Sequence, residues 1–213
     1  MPNHPYSEDY YLNGPEFGLS NYENYHWLPD KTLPMALQLK WMLGIRSDDV
    51  VLDFGCARGY TVKALRMQGI QAHGYDLSEW AIANCDEGVK SFVSNTLNTS
   101  PMAWDHIIAK DVFEHIEVDT LTDIVASLLR ACRKQLYIIV PLAVTRGGTY
   151  NCPVDEQDST HVIRWTLPDW IEFLQRFDKN FVVSGGYEAP VVKPNCFKYP
   201  KSYGFLTVRR VHV

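Results

Sequence analysis

The chain has no excess of basic residues: Lys and Arg number 20 against 25 Asp and Glu, a formal net charge of −5 over 213 residues. That balance leaves no electrostatic footprint for nucleic acid, so no nucleic-acid partner is expected. No stretch reaches the roughly 20 apolar residues that span a bilayer, and the start is polar and tyrosine-rich where a secretory signal would be basic and then apolar. The expectation is a cytoplasmic protein with no membrane partner. Cysteine is sparse: Cys56, Cys85, Cys132, Cys152 and Cys196 stand singly without a C-x-x-C pair and read as reduced thiols. The histidines, His4, His26, His73, His106, His115, His161 and His212, are not at metal-ligand spacing, and no metal site is expected. The dinucleotide fingerprint G-x-G-x-x-G is also missing, because its middle glycine is Ala57 and its last position is Tyr60.

What is present starts with hydrophobic residues at 46% of the chain, enough for one substantial core. The sequence is organised around Val50 to Tyr60. Val50, Val51 and Leu52 read as a short buried strand, Gly55 and Gly59 bracket a tight turn, and a helical pattern begins near Tyr60. Glycines let a ligand approach the backbone closely, and the first N–H groups of the helix offer donors to its polar end. Asp53, two residues before the first glycine, would repel a pyrophosphate and suits a cationic ligand better.

Asp53-x-Gly55-x-Ala57-x-Gly59 resembles the first motif of class I S-adenosylmethionine-dependent methyltransferases. Ala57 departs from the usual glycine by one methyl, a change the loop is expected to accept with a negative φ. The resemblance implies S-adenosylmethionine as cofactor, held by Asp53, Gly55, Cys56, Ala57, Gly59 and Tyr60. Asp76, at the tip of a second strand over Gln71 to Tyr75, is expected to hold both ribose hydroxyls, with Leu77 beside it; Ser78 can cap the following helix in its place. Asn95, Thr96 and Leu97 occupy the adenine position, where the family usually shows an acid; the Asn95 side-chain oxygen can accept from the adenine amino group. Lys110-Asp111-Val112-Phe113-Glu114-His115-Ile116 resembles the family segment after the fourth strand, where cofactor meets substrate, and Lys110 and Asp111 complete the cofactor set.

The rest of the chain alternates strand and helix. Third to fifth strands are expected at Ser91 to Ser94, Trp104 to Ala109 and Gln135 to Val140, and helices at Val62 to Met67, Leu77 to Asn84, Thr120 to Cys132 and Thr166 to Phe177. Two closing strands fall near Asn180 to Gly186 and Tyr203 to Arg210. This implies an α/β fold, a Rossmann-like, doubly wound, seven-stranded and mostly parallel sheet with helices on both faces. Residues 1–45 form an aromatic arm and a covering helix, and residues 46–213 the cofactor-binding domain. The arm, with Tyr6, Tyr10, Tyr11, Tyr22, Tyr25 and Trp27, packs on the domain or closes over a cleft.

The polar loop from Ala143 to His161 is the expected substrate loop. His161 is a candidate base, with Asp158 three residues earlier to orient it, against a surface histidine that caps the next helix. His115 is the second candidate, weighed against a structural role. The resemblance is silent about the acceptor atom. It favours methyl transfer to O or N of a small molecule, sugars included, over a macromolecular substrate. A non-catalytic S-adenosylmethionine-binding module that regulates or partners another protein is the alternative, suggested by Ala57 and Asn95.

Overall fold

Apolar periodicity turns into burial along the expected elements. The computed structural model describes residues 5–187 and 191–211, which leaves His4 and His212 outside the described residues. The chain divides into two compact units, one running to Leu97 and including Val154–Thr160, the other taking Asn98–Pro153 and the residues from His161 onward.

The first unit runs α1 (Glu8–Leu12), α2 (Gly14–Phe17), α3 (Pro29–Met42), β1 (Val50–Phe54), α4 (Tyr60–Met67), β2 (Gln71–Tyr75), α5 (Glu79–Ala83) and β3 (Val93–Ser94). β1 pairs parallel to β2 with Asp53 opposite Gly74, and β2 pairs parallel to β3. Gly74 is a steric necessity, since a Cβ there would meet Cys56 Sγ at 2.6 Å. α5 starts at Ser78, whose hydroxyl accepts from the amide of Ala81, so the cap belongs to Ser78 and leaves Asp76 for other work. The third strand is shorter than expected. Asp86 accepts from the Gly88 amide and starts a 3-10 turn over Glu87–Phe92, which leaves two residues for β3.

The second unit holds β4 (Trp104–Lys110), α6 (Val118–Ala131), β5 (Cys132–Pro141), α7 (Leu167–Gln175), β6 (Phe181–Gly186), α8 (Asn195–Lys198) and β7 (Tyr203–Arg210). Leu121, Val125, Leu128 and Leu129 are the buried stripe of α6, at the spacing of one helix face. Each such side chain contributes about 1.5–3 kcal/mol by leaving water. Leu136 to Val140 of β5 are buried without alternation, as in a strand covered on both faces. α7 begins with a capping box in which Thr166 and Asp169 satisfy each other's backbone amides.

All seven strands join one sheet in the order β3-β2-β1-β4-β5-β7-β6. β4 and β5 are parallel, while β7 runs antiparallel to both β5 and β6. The expected seven-stranded, mostly parallel Rossmann-like sheet is therefore what forms. Among the described residues no helix is long and apolar enough to cross a membrane.

Candidate active site

The first unit gathers most of the expected cofactor residues at the carboxyl ends of β1 and β2. Gly55 and Gly59 have φ of 82° and 76°, the left-handed region where glycine is unpenalised. Ala57 has φ 48°, which corrects the expectation of a negative angle. What holds it there is Asp76, whose Oδ2 accepts from the Ala57 amide at 2.7 Å, a charge-assisted bond. The amides of Gly55 and Cys56 both donate to the Tyr75 carbonyl, at 2.7 and 2.9 Å. Three successive loop amides are thus spent within the protein, and the turn presents a ligand with bare backbone flanked by carboxylates. Asp76 Oδ1 accepts from the Ser78 amide at 2.8 Å. A carboxylate offers about four lone-pair directions, so it can accept from hydroxyl donors as well as from amides.

Asp53 and Asp76 are both buried, and their negative field is felt by neighbouring acids. Burial first, then Asp53 and Asp76, push the Cys56 thiol well above its usual range. Burial first, then Asp76 among its neighbours, raise the Tyr11 phenol. A site that disfavours further negative charge suits a ligand carrying sulfonium and ammonium groups, so the residues present fit S-adenosylmethionine. Cys56 turns its side chain inward against Gly74, leaving only its backbone on the loop. Tyr60 is buried at the start of α4, Leu77 is exposed after Asp76, and Asn95 and Thr96 are exposed after β3 with Leu97 half-buried.

The arm packs on this loop within the same unit. Its short helices carry Tyr10 and Tyr11 into a cluster with Tyr22, Tyr25, Ala57 and Trp80. Tyr11 stacks on Trp80 at 5.4 Å and 15°, and the Arg58 guanidinium donates to the Tyr25 carbonyl at 2.8 Å. The Tyr10 hydroxyl donates to Asp158 Oδ2 at 2.9 Å, while Thr160 donates to Oδ1 through its amide and hydroxyl. Within the first unit the Asp158 carboxylate is thus engaged by the arm and by Thr160.

In the second unit His115 and His161 come together, with ring centroids 4.6 Å apart. The carboxylate beside both is Glu114, whose Oε1 is 3.9 Å from His115 Nε2 and 4.0 Å from His161 Nε2. Tyr150 packs edge-on against His161 at 5.2 Å. The backbone makes this meeting possible: the amides of Val162 and Ile163 both donate to the Glu114 carbonyl, at 2.8 and 3.0 Å, and the Tyr150 hydroxyl donates to the Ile163 carbonyl. The Glu-His dipeptide was visible in the sequence, but its pairing with a histidine 46 positions on was not. Glu114 and Tyr150 are the residues that sequence reasoning missed.

Lys110 and Asp111 also fall in the second unit. Asp111 Oδ2 is 2.6 Å from Lys110 Nζ and 2.7 Å from Lys193 Nζ. Burial works to raise the Asp111 carboxyl, but Lys110 and Lys193 outweigh it and hold the group well below the usual carboxylate range.

A family model described as a methyltransferase domain matches residues 28–181, well over half of the chain. No curated protein matches the chain in sequence. Among solved structures it is similar to the 1,6-didemethyltoxoflavin-N1-methyltransferase of Burkholderia thailandensis, which holds 1,6-didemethyltoxoflavin and S-adenosylhomocysteine. The identity is 19% and the TM-score 0.60, over 85% of this chain and 79% of that one. A SAM-dependent methyltransferase from Archaeoglobus fulgidus is similar at 16% identity and TM-score 0.61, over 84% and 94%. The [4+2]-cyclase SpnF is similar at 13% identity and TM-score 0.65, over 92% and 87%. At these identities the likeness is one of fold.

Proposed function

Because the chain belongs to the methyltransferase-domain family, we propose that it transfers a methyl group to an oxygen or nitrogen of a small molecule, with sugars among the candidate acceptors. The cofactor is S-adenosylmethionine, which supplies, when bound, an electrophilic methyl group on a sulfonium. The observation that carries the reading is the glycine turn between two buried carboxylates, Asp53 and Asp76. Asp76 accepts the ribose hydroxyls, and Asp53 favours the cofactor's positive charge. The small-molecule class is supported by the acidic balance of the chain and by the Burkholderia thailandensis enzyme, whose acceptor is a small molecule.

On this reading the acceptor lies at His115 and His161. The cofactor would supply the methyl group and leave as S-adenosylhomocysteine, while His161 would take the proton from the acceptor's O–H or N–H and Glu114, 4.0 Å away, would stabilise the imidazolium. The test is formation of S-adenosylhomocysteine from S-adenosylmethionine in a mixed metabolite extract. His161→Ala should lower the rate at least about a hundredfold while cofactor affinity is unchanged, with His115→Ala as the matched variant. Loss of turnover only in the His115 variant would move the base to that residue.

The second reading is a protein that binds the cofactor without methylating, acting as a regulatory or partner module. Likeness to SpnF, a [4+2]-cyclase, favours keeping it, because this fold also serves a reaction that is not named as methyl transfer. Tight cofactor binding with no S-adenosylhomocysteine formed from any acceptor would decide for it.

A further inference from the structure

The carboxylate and two imidazoles of the second unit form a set of donors as well as a basic group. One ligand atom each from Glu114, His115 and His161 all lie within 4.8 Å of one another. Ligands held about 2.0–2.2 Å from one ion at tetrahedral or octahedral angles stand roughly 3–3.5 Å apart, so small side-chain rotations bring the observed 3.9 and 4.0 Å separations into range. We propose that Glu114, His115 and His161 form a binding site for a divalent first-row transition-metal cation.

Three features support the assignment. The donor chemistry is that of two neutral imidazoles and a carboxylate, which suits zinc, iron(II), cobalt(II) or nickel(II) far better than magnesium or calcium, and it leaves coordination positions open. The set is withdrawn from water: the side chains of Glu114, His115 and His161 are 1%, 10% and 7% exposed, and a buried carboxylate is stabilised by a cation held against it. The scaffold is rigid as well, since the two backbone bonds from Val162 and Ile163 to the Glu114 carbonyl fix the two contributing segments together before any ion arrives.

The consequence for the reaction is specific. With the cation bound, His161 would serve as a ligand in place of the base role given it above, and an open coordination position would take an acceptor hydroxyl and lower its pKa, which favours oxygen acceptors. This deepens the reading above and rests on it only for the acceptor's place; the cation site itself stands or falls on binding alone.

The experiment is titration of the chelator-treated full chain, without cofactor or acceptor, with zinc chloride by calorimetry and with cobalt(II) by visible absorption. One ion per chain is expected, with a cobalt spectrum lacking thiolate charge-transfer bands, since no cysteine belongs to the set. His115→Ala, His161→Ala and Glu114→Gln should each weaken binding at least about tenfold, and His73→Ala, in β2, should leave it unchanged. Glu114→Gln keeps the side-chain shape, and a circular dichroism spectrum identical to the parent separates lost ligation from lost fold. The proposal is overturned if the folded parent binds no ion, if the bound ion shows thiolate bands, or if the three variants bind as the parent does. S-adenosylhomocysteine formation is measured in parallel. One bound ion with no turnover upholds the site while the methyl-transfer reading fails, and turnover without any bound ion does the reverse.

Discussion

Ala57 shows how one residue carries both strain and function. A non-glycine side chain at φ 48° costs about 1–2 kcal/mol, and the bond from its amide to Asp76 offsets that cost. Ala57→Gly should therefore raise unfolding stability by about 1 kcal/mol, less the extra backbone entropy of glycine, as measured by urea denaturation. A variant less stable than the parent would mean that the alanine methyl contributes packing instead of strain. Asp76→Ala removes the proposed acceptor of the ribose hydroxyls along with the hold on the Ala57 amide. Calorimetry should find S-adenosylmethionine affinity lower by roughly tenfold to a hundredfold, the worth of charge-assisted bonds of about 1.5–3 kcal/mol. Unchanged affinity would remove Asp76 from the site. The position of Asp76 was legible in the sequence as an acid closing the second strand, and the structure gives the cap of the next helix to Ser78.

At the scale of elements, the arm is the part whose role depends most on context. Its aromatic composition announced burial, yet nothing in the spacing said that α1 would reach Asp158, 148 positions away from Tyr10. Tyr10→Phe deletes that hydroxyl and its charge-assisted bond to the buried Asp158, which should cost about 1–3 kcal/mol in denaturant unfolding. A negligible change would show that water replaces the phenol there. β2 and β7 have the bounds that their patterns suggested, because alternating or continuous apolar runs closed by an acid or a turn leave little choice. β3 was over-read: the Asp86 side chain captures the Gly88 amide and commits the next residues to a helical turn, a local bond that hydropathy does not register.

For the molecule as a whole, the charge pattern sets a window of pH stability. The Asp111 carboxyl is depressed in the folded chain by Lys110 and Lys193, so its contribution is fully present above the unfolded value of about 3.9 and is lost as pH falls through the folded value. On the alkaline side, burial pushes the Cys132 thiol from the usual 9.0 up to about 12 and also raises Tyr10, Tyr11, Tyr25 and Tyr137. The unfolded chain then releases protons that the folded one retains, and stability declines from about pH 9 upward. Melting temperature against pH should show a plateau between about pH 4 and 9 with losses at both ends, and Asp111→Asn should flatten the acid limb. An unchanged melting temperature at pH 10.5 would contradict the alkaline half. The fold, the glycine turn and the place of Asp76 at a strand end were determined by the sequence alone, because each depends on residues close together in the chain: a hydrophobic run, two glycines, an acid at a strand end. The joining of Glu114, His115 and His161, the left-handed angle at Ala57 and the engagement of Asp158 by the arm were decided only by tertiary structure. Each depends on backbone hydrogen bonds or packing between segments far apart in sequence, and local periodicity carries no record of those.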